Sequence, residues 1–349
     1  MDAAPGAACT LPHGESWVMN STAAADPGRS PGTGLARGRG RRARSPGEIS
    51  KKGWWDILWR VKNEIGDDHV SMIAAGVAFY GLLAIFPAIA ALVGIWGLMA
   101  DPQQIQSQIS QVTSALPPEA GRILEDQVTK VASNTGGASF AALGGLLFTL
   151  YSASKGVKAV IEGLNIIYDE EEKRGFIKLN AIALALTVGV VLVMVLALGL
   201  IAVLPAVVAG LGLGGTIATV VSLARWPILF VVIMAVLAIL YRYAPSRDEP
   251  RWRWVSWGAV LATVLWIVGS IAFSIYVRNF GSYNETYGSL GAVIILLMWF
   301  WLSSFIVLLG AEVNAEMEHQ TAEDTTEGPE QPRGQRGARM ADTVGEQKN

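Results

Sequence analysis

The chain has 349 residues, 52% of them hydrophobic and 16% charged, with a formal net charge of −2. A soluble domain carries roughly a quarter charged residues. Here the charges are confined to the two ends and to short connections between apolar runs of about 20 residues, the length that crosses a hydrocarbon core. This excludes a pair of soluble domains, and Cys9, the single cysteine, leaves no intramolecular disulfide and no cysteine-based zinc or redox motif.

Residues 1–48 are rich in Ala, Gly, Pro, Ser and Arg and end in the basic run Arg37–Arg44. Such a segment buries too little apolar surface to offset its ordering entropy and is expected to be disordered, as is the tail 319–349. No compact apolar stretch follows a basic start, so no cleavable signal peptide is expected. The basic run could hold RNA or lipid phosphate through its charge, but a solvated tail that helps to fix topology is the simpler expectation.

From Lys51 to Asp68 the pattern turns helical. Trp54, Leu58, Val61 and Ile65 share one face, while Lys51, Arg60, Lys62 and Glu64 fall elsewhere. Such a helix suits either the headgroup region or a seat on the bundle. The first span covers about 71–100, with Pro87 expected to kink it. Residues 101–135 are too polar to span and read as a helical hairpin outside the membrane, broken at Pro117-Pro118.

The second span starts near Ala138 and runs past Ser154 through Lys155, Lys158 and Glu162. The third covers 181–209, with Pro205 near its end, and a glycine-rich link at 211–215 leads to the fourth at 222–241. The fifth covers 254–277 and the sixth 288–311. The expected fold is therefore an all-α, polytopic transmembrane bundle of six spans over 49–318, with amphipathic surface helices and disordered tails. Lys and Arg concentrate before the first span and in the second-to-third and fourth-to-fifth connections, so both termini are expected in the cytoplasm.

Three stretches resemble one family: Asp68–Tyr80 running into Ala84-Ile-Phe-Pro87, Tyr283–Ala292, and Leu309-Gly-Ala-Glu-Val-Asn-Ala-Glu316. Together with six spans and a long first external loop, they resemble the YihY family, also called the BrkB virulence-factor family, over about residues 50–318. The resemblance implies a bacterial inner-membrane protein, linked in some members to serum resistance or envelope lipid export and suspected of transport. An older family label, ribonuclease BN, is widely regarded as a misassignment. The residues agree: His13, His69 and His319 are scattered, and Asp67, Asp68 and His69 point about 100° apart on a helix rather than toward one metal. No P-loop is present. Neither enzymatic activity, a resident metal nor a cofactor is expected.

Tyr151, Lys155, Lys158, Glu162 and Asn165 follow i, i+4, i+7, i+11, i+14 and share one helix face. Ionisable groups within a membrane usually face a cavity or a partner. This face is thus a candidate polar cleft for an anionic substrate, with Lys158 and Glu162 spaced to pair. Alternatively the span ends near Ser154 and the lysines snorkel into headgroups. Glu312 and Glu316, with Asn314 between them and His319 beyond, could hold a cation or a coupling proton; a solvated helix end is the plainer reading. Tyr283, Tyr287 and Gly288 suit anchoring and close helix approach at the last span, where Gly288 and Ala292 form a small-xxx-small pair.

Two functions are open: a transporter or flippase-like protein for a lipid or anionic amphiphile, or a non-transporting membrane scaffold. The expected partners are membrane lipids, self-association is open, and no specific nucleic acid is expected.

Overall fold

A computed structural model describes residues 38–97, 140–210, 215–279 and 289–348. The expected hairpin at 101–135 and the residues Tyr283, Tyr287 and Gly288 lie outside them.

Helix α1, Lys51–Asp67, starts at Ser50, whose hydroxyl accepts from the Gly53 N–H at 3.3 Å. Its buried face carries Ile57 and Val61 together with Asp56 and Arg60, and it packs on the last long helix. The expected stripe is therefore rotated: Leu58 is exposed, and Arg60, placed elsewhere by its charge, is buried because its guanidinium meets a carboxylate there.

Helix α2, Val70–Gly97, remains helical on both sides of Pro87, and α3 spans Phe140–Ile167. Each has 28 residues, about 42 Å at 1.5 Å per residue. Helix α4, Phe176–Leu198, does not continue as one α-helix to 209, as the apolar run suggests. It passes into a π-helical turn over Gly199–Val203 and then the short α5, Leu204–Gly210. The reason is local. Pro205 has no N–H to offer the Ile201 carbonyl four residues earlier, and that carbonyl instead accepts from Arg225 Nη1 at 3.4 Å. Helices α6, Thr216–Tyr243, α7, Trp252–Asn279, and α8, Ser289–Gln320, complete the long elements, and α9, Arg339–Asp342, is a single turn.

Among the described residues, four segments are long and apolar enough to cross a membrane: Phe176–Ile201, Ala218–Tyr243, Trp252–Arg278 and Val293–Gln320. Their outer faces present Leu192, Met194, Leu223, Trp226, Val268 and Ile271 to the surroundings. So continuous an apolar exterior is untenable in water and natural in lipid. Helix α8 packs against α1, α2, α3 and α7, while α2 also packs on α3 and α6 on α7. The core is sealed by small residues: a methyl group on Gly258 of α7 would overlap the Gly310 carbonyl and the Asn314 side chain of α8.

The ends of 38–348 depart from the expected disorder. Residues 38–48 include a 3-10 turn at Pro46–Glu48, and Arg41 and Ala43 are buried. Residues 321–348 fold back over the bundle, with Thr321, Thr325, Thr326, Arg336 and Met340 buried. Backbone bonds fasten them: Ala322 N–H to Arg41 C=O at 2.9 Å, Arg251 N–H to Thr325 C=O at 2.9 Å, and Asp248 N–H to Gly337 C=O at 3.0 Å. Composition argued for disorder because these segments lack apolar content; hydrogen bonds to other parts of the chain order them instead.

Candidate functional site

The first turns of α4 and α7, the last turns of α3, α6 and α8, and the chain's two end segments gather into one polar cap. Asn165, at the end of α3, ties the connections after α3 and after α6 to that helix, accepting from Ser246 N–H at 2.7 Å and donating to Glu172 at 3.1 Å. Arg174 donates to the Ala244 carbonyl at 2.8 Å, and the Lys173 N–H to the Ser246 hydroxyl at 3.0 Å. Glu172 is held well below the usual carboxylate range, to about 2, chiefly by its bond from Arg174.

Under this cap the end of α8 is buried rather than solvated, with Glu312, Asn314, Glu316, Glu318 and Gln320 all enclosed. The plain expectation of a solvated helix end is overturned because α1, residues 244–251 and the C-terminal segment cover it. Four of the five side chains are matched. Asn314 accepts from the Gly258 N–H at 2.8 Å and donates to the Val255 carbonyl at 3.3 Å, stitching α8 to α7. Glu316 accepts from Arg60 Nε and lies 3.5 Å from His319 Nδ1. Arg60 also donates to the Gln320 side chain at 2.9 Å and to the Glu346 carbonyl at 2.8 Å. Glu318 accepts from Arg247 at 2.7 Å and from the Thr325 hydroxyl at 2.9 Å, and Arg247 sits 4.1 Å from the centre of the Tyr168 ring.

Glu312 is the exception. It is 1% exposed, and neither of its carboxylate oxygens has a hydrogen-bond partner among the described residues. The charges that act on it most strongly are those of Asp68, Glu316, Glu64 and Asp169, all acidic. Burial, aided by Glu64, Asp169, Asp67 and Glu316, pushes the Asp68 carboxyl up to about 7, and Glu64 is raised for the same reasons. Asp68 closes α1 and precedes His69, which adopts φ 53° so that α2 can start in a new direction; Asp169 makes the same left-handed turn after α3. The two turns set acidic residues of separate elements near enough for their charges to act on Glu312.

The polar face of α3 is not brought to that carboxylate. Tyr151, Lys155 and Glu162 are exposed. Lys158 lies 5.4 Å from the Tyr151 ring centre and donates to Asn180 of α4 instead of pairing with Glu162. Asn180 is oriented for this by its own bond to the Phe176 carbonyl, 2.7 Å. Of the seven cleft candidates, Glu312 and Asn314 thus lie beneath the cap, Asn165 braces it, and Tyr151, Lys155, Lys158 and Glu162 line the outer side of α3. Arg60, Arg247 and Tyr168 were not anticipated. For Arg60 a signal existed: Ile57, Arg60, Val61 and Glu64 repeat at i, i+3, i+4, i+7, the spacing of the face that is buried.

Compared with known proteins, residues 61–335 match the family described as virulence factor BrkB. YfkH of Bacillus subtilis, described as a ribonuclease-like protein, is 31% identical over 247 residues, covering 69% of this chain and 88% of that protein. A UPF0761 membrane protein of Idiomarina loihiensis is 25% identical over 267 residues, 72% of this chain and 87% of its own length. One from Pseudoalteromonas translucida is 26% identical over 282 residues, 79% and 89% of the two chains. No solved structure matches.

Proposed function

Since the chain belongs to the virulence factor BrkB family, we propose that it is a transporter- or flippase-like protein of the bacterial cytoplasmic membrane, acting on an anionic amphiphile. In this reading α2, α3, α4, α6, α7 and α8 are six spans, and the cap with both termini faces the cytoplasm. Two properties support that topology: the 28-residue lengths of α2 and α3, and the cluster of Lys173, Arg174, Arg242, Arg247 and Arg251 at the cap.

The observation that carries the substrate class is the outer face of α3. There Lys155 and Lys158 follow, two to three turns along the helix, the exposed apolar side chains of Leu147 and Phe148. A cationic step next to an apolar slope suits an anionic headgroup whose chains stay in the bilayer. Reconstitution with a fluorescent anionic phospholipid tests it: leaflet exchange should be faster than in empty vesicles and should fall sharply in Lys155→Ala with Lys158→Ala. Exchange equal to that of empty vesicles would defeat the reading.

A scaffold without transport is the second reading, favoured by the tight Gly258–Gly310 seam between α7 and α8. Neither reading includes ribonuclease activity. In support, no three His, Cys, Asp or Glu side chains converge to hold a metal among the described residues, and the His69 ring is turned to the Gly66 carbonyl at 2.7 Å.

A further inference from the structure

We propose that Glu312 is a proton-binding residue that exchanges its proton with the capped face of the bundle through Asp68. An ionised carboxylate taken out of water without hydrogen bonds or a counter-charge is costly by several kcal/mol, and Glu312 has neither. Among the described residues no cation is hydrogen-bonded to Glu312, and those of the cap are directed at other acceptors, although Arg247 keeps Nε and Nη1 without a partner. Arg60 is held by Glu316 and Gln320, Arg247 by Glu318, and His319 faces Glu316. The charged groups that bear on Glu312 from its surroundings add to the cost: Glu316 on its own helix, Glu64 on α1, Asp68 between α1 and α2, and Asp169 after α3.

Tyr168, just after α3, contributes a buried hydroxyl without a hydrogen-bond partner among the described residues. A bound proton removes the penalty with a single small ligand, whereas a metal ion needs several oxygen donors that do not converge here.

The same acidic residues that oppose ionisation provide a route. Asp67 and Asp169 are exposed, Glu64 and Asp68 half-buried, and Glu312 enclosed, so these carboxyls cover the range of burial from solvent to the interior. Asp68, half-buried at the turn between α1 and α2 and next to the exposed Asp67, is the intermediate step, and burial raises its carboxyl toward the range in which it takes up and releases a proton. Use of this proton to couple transport rests on the function proposed above; the proton site itself does not.

Infrared spectroscopy of the full chain in lipid nanodiscs separates the two. The wild type should show a protonated-carboxyl C=O band that disappears in Glu312→Gln and persists in Glu316→Gln. Glu312→Asp, which keeps the acid, should shift the band without abolishing it, and this variant serves if the glutamine form does not fold. On transfer to deuterated water, Asp68→Asn should slow exchange of the band by about a hundredfold, the order expected on removing a positioned proton-transfer group.

An identical spectrum in wild type and Glu312→Gln, or exchange unaffected by Asp68→Asn, would overturn the proposal. A Glu312 band with the expected exchange, in a protein that moves no lipid, would keep the proton site and defeat the transport reading instead.

Discussion

The capped end of the bundle and its apolar flank hold together by different means. At the cap, charged groups are buried in matched sets: Arg247 with Glu318, Arg60 with Glu316 and Gln320, Arg39 with Asp56 at 2.7 Å. Along α4 and α6 the exposed surface is Leu, Val, Ile, Met and Trp, and Arg225 is engaged with the carbonyl that Pro205 leaves free. The flank needs only a hydrocarbon solvent, whereas the cap needs specific partners from distant parts of the chain. Glu312 lies where these two regimes meet, enclosed like the cap residues but unmatched.

The largest expected effect breaks the cap. Arg247→Ala leaves Glu318, itself fully buried, with only the Thr325 hydroxyl, which should destabilise the protein by about 3–5 kcal/mol. Thermal unfolding in detergent measures it, and Arg247→Ala combined with Glu318→Ala should recover part of the loss. Next is the helix seam that joins the two regions. Gly258→Ala places a methyl group into the Gly310 carbonyl and Asn314, and overpacking of this kind costs about 1–3 kcal/mol. Circular dichroism melting should show the drop without loss of helix content.

A smaller effect concerns pH. Burial and its acidic neighbours raise Asp68 from 3.8 to about 7 in the folded protein. The folded state therefore binds the extra proton between those values, and stability from this group declines as pH rises from about 4 to about 7. Asp68→Asn should flatten that slope in a series of melting curves. The least effect belongs to the flank. Lys158→Ala removes a half-exposed contact with Asn180 and should change stability by at most about 1 kcal/mol.

The same contrast explains what the sequence made legible. The apolar runs at 222–241 and 254–277 lie within α6 and α7, since hydrophobicity along a single helix is a local property. The rotated face of α1 was misread because Arg60 was judged by its charge, when its partner lies 256 residues away. The order of 321–348 was likewise invisible, resting on pairs such as Arg251 with Thr325 and Arg41 with the Gly345 carbonyl at 2.5 Å. Glu312 and Glu316 were legible as a same-face pair, but not that one would be matched and the other left bare. That difference is set by where Arg60 arrives from α1.

Central to the proposed topology is a cap on one side of six spans, and reporter fusions active only in the cytoplasm test it most directly. Fusions after Asp169, Asp248 and Glu318, all at the capped end, should be active, and fusions after Gln127, Gly214 and Tyr283 silent. A silent fusion after Asp248 beside an active one after Asp169 would put those two residues on opposite sides of the membrane and contradict the account.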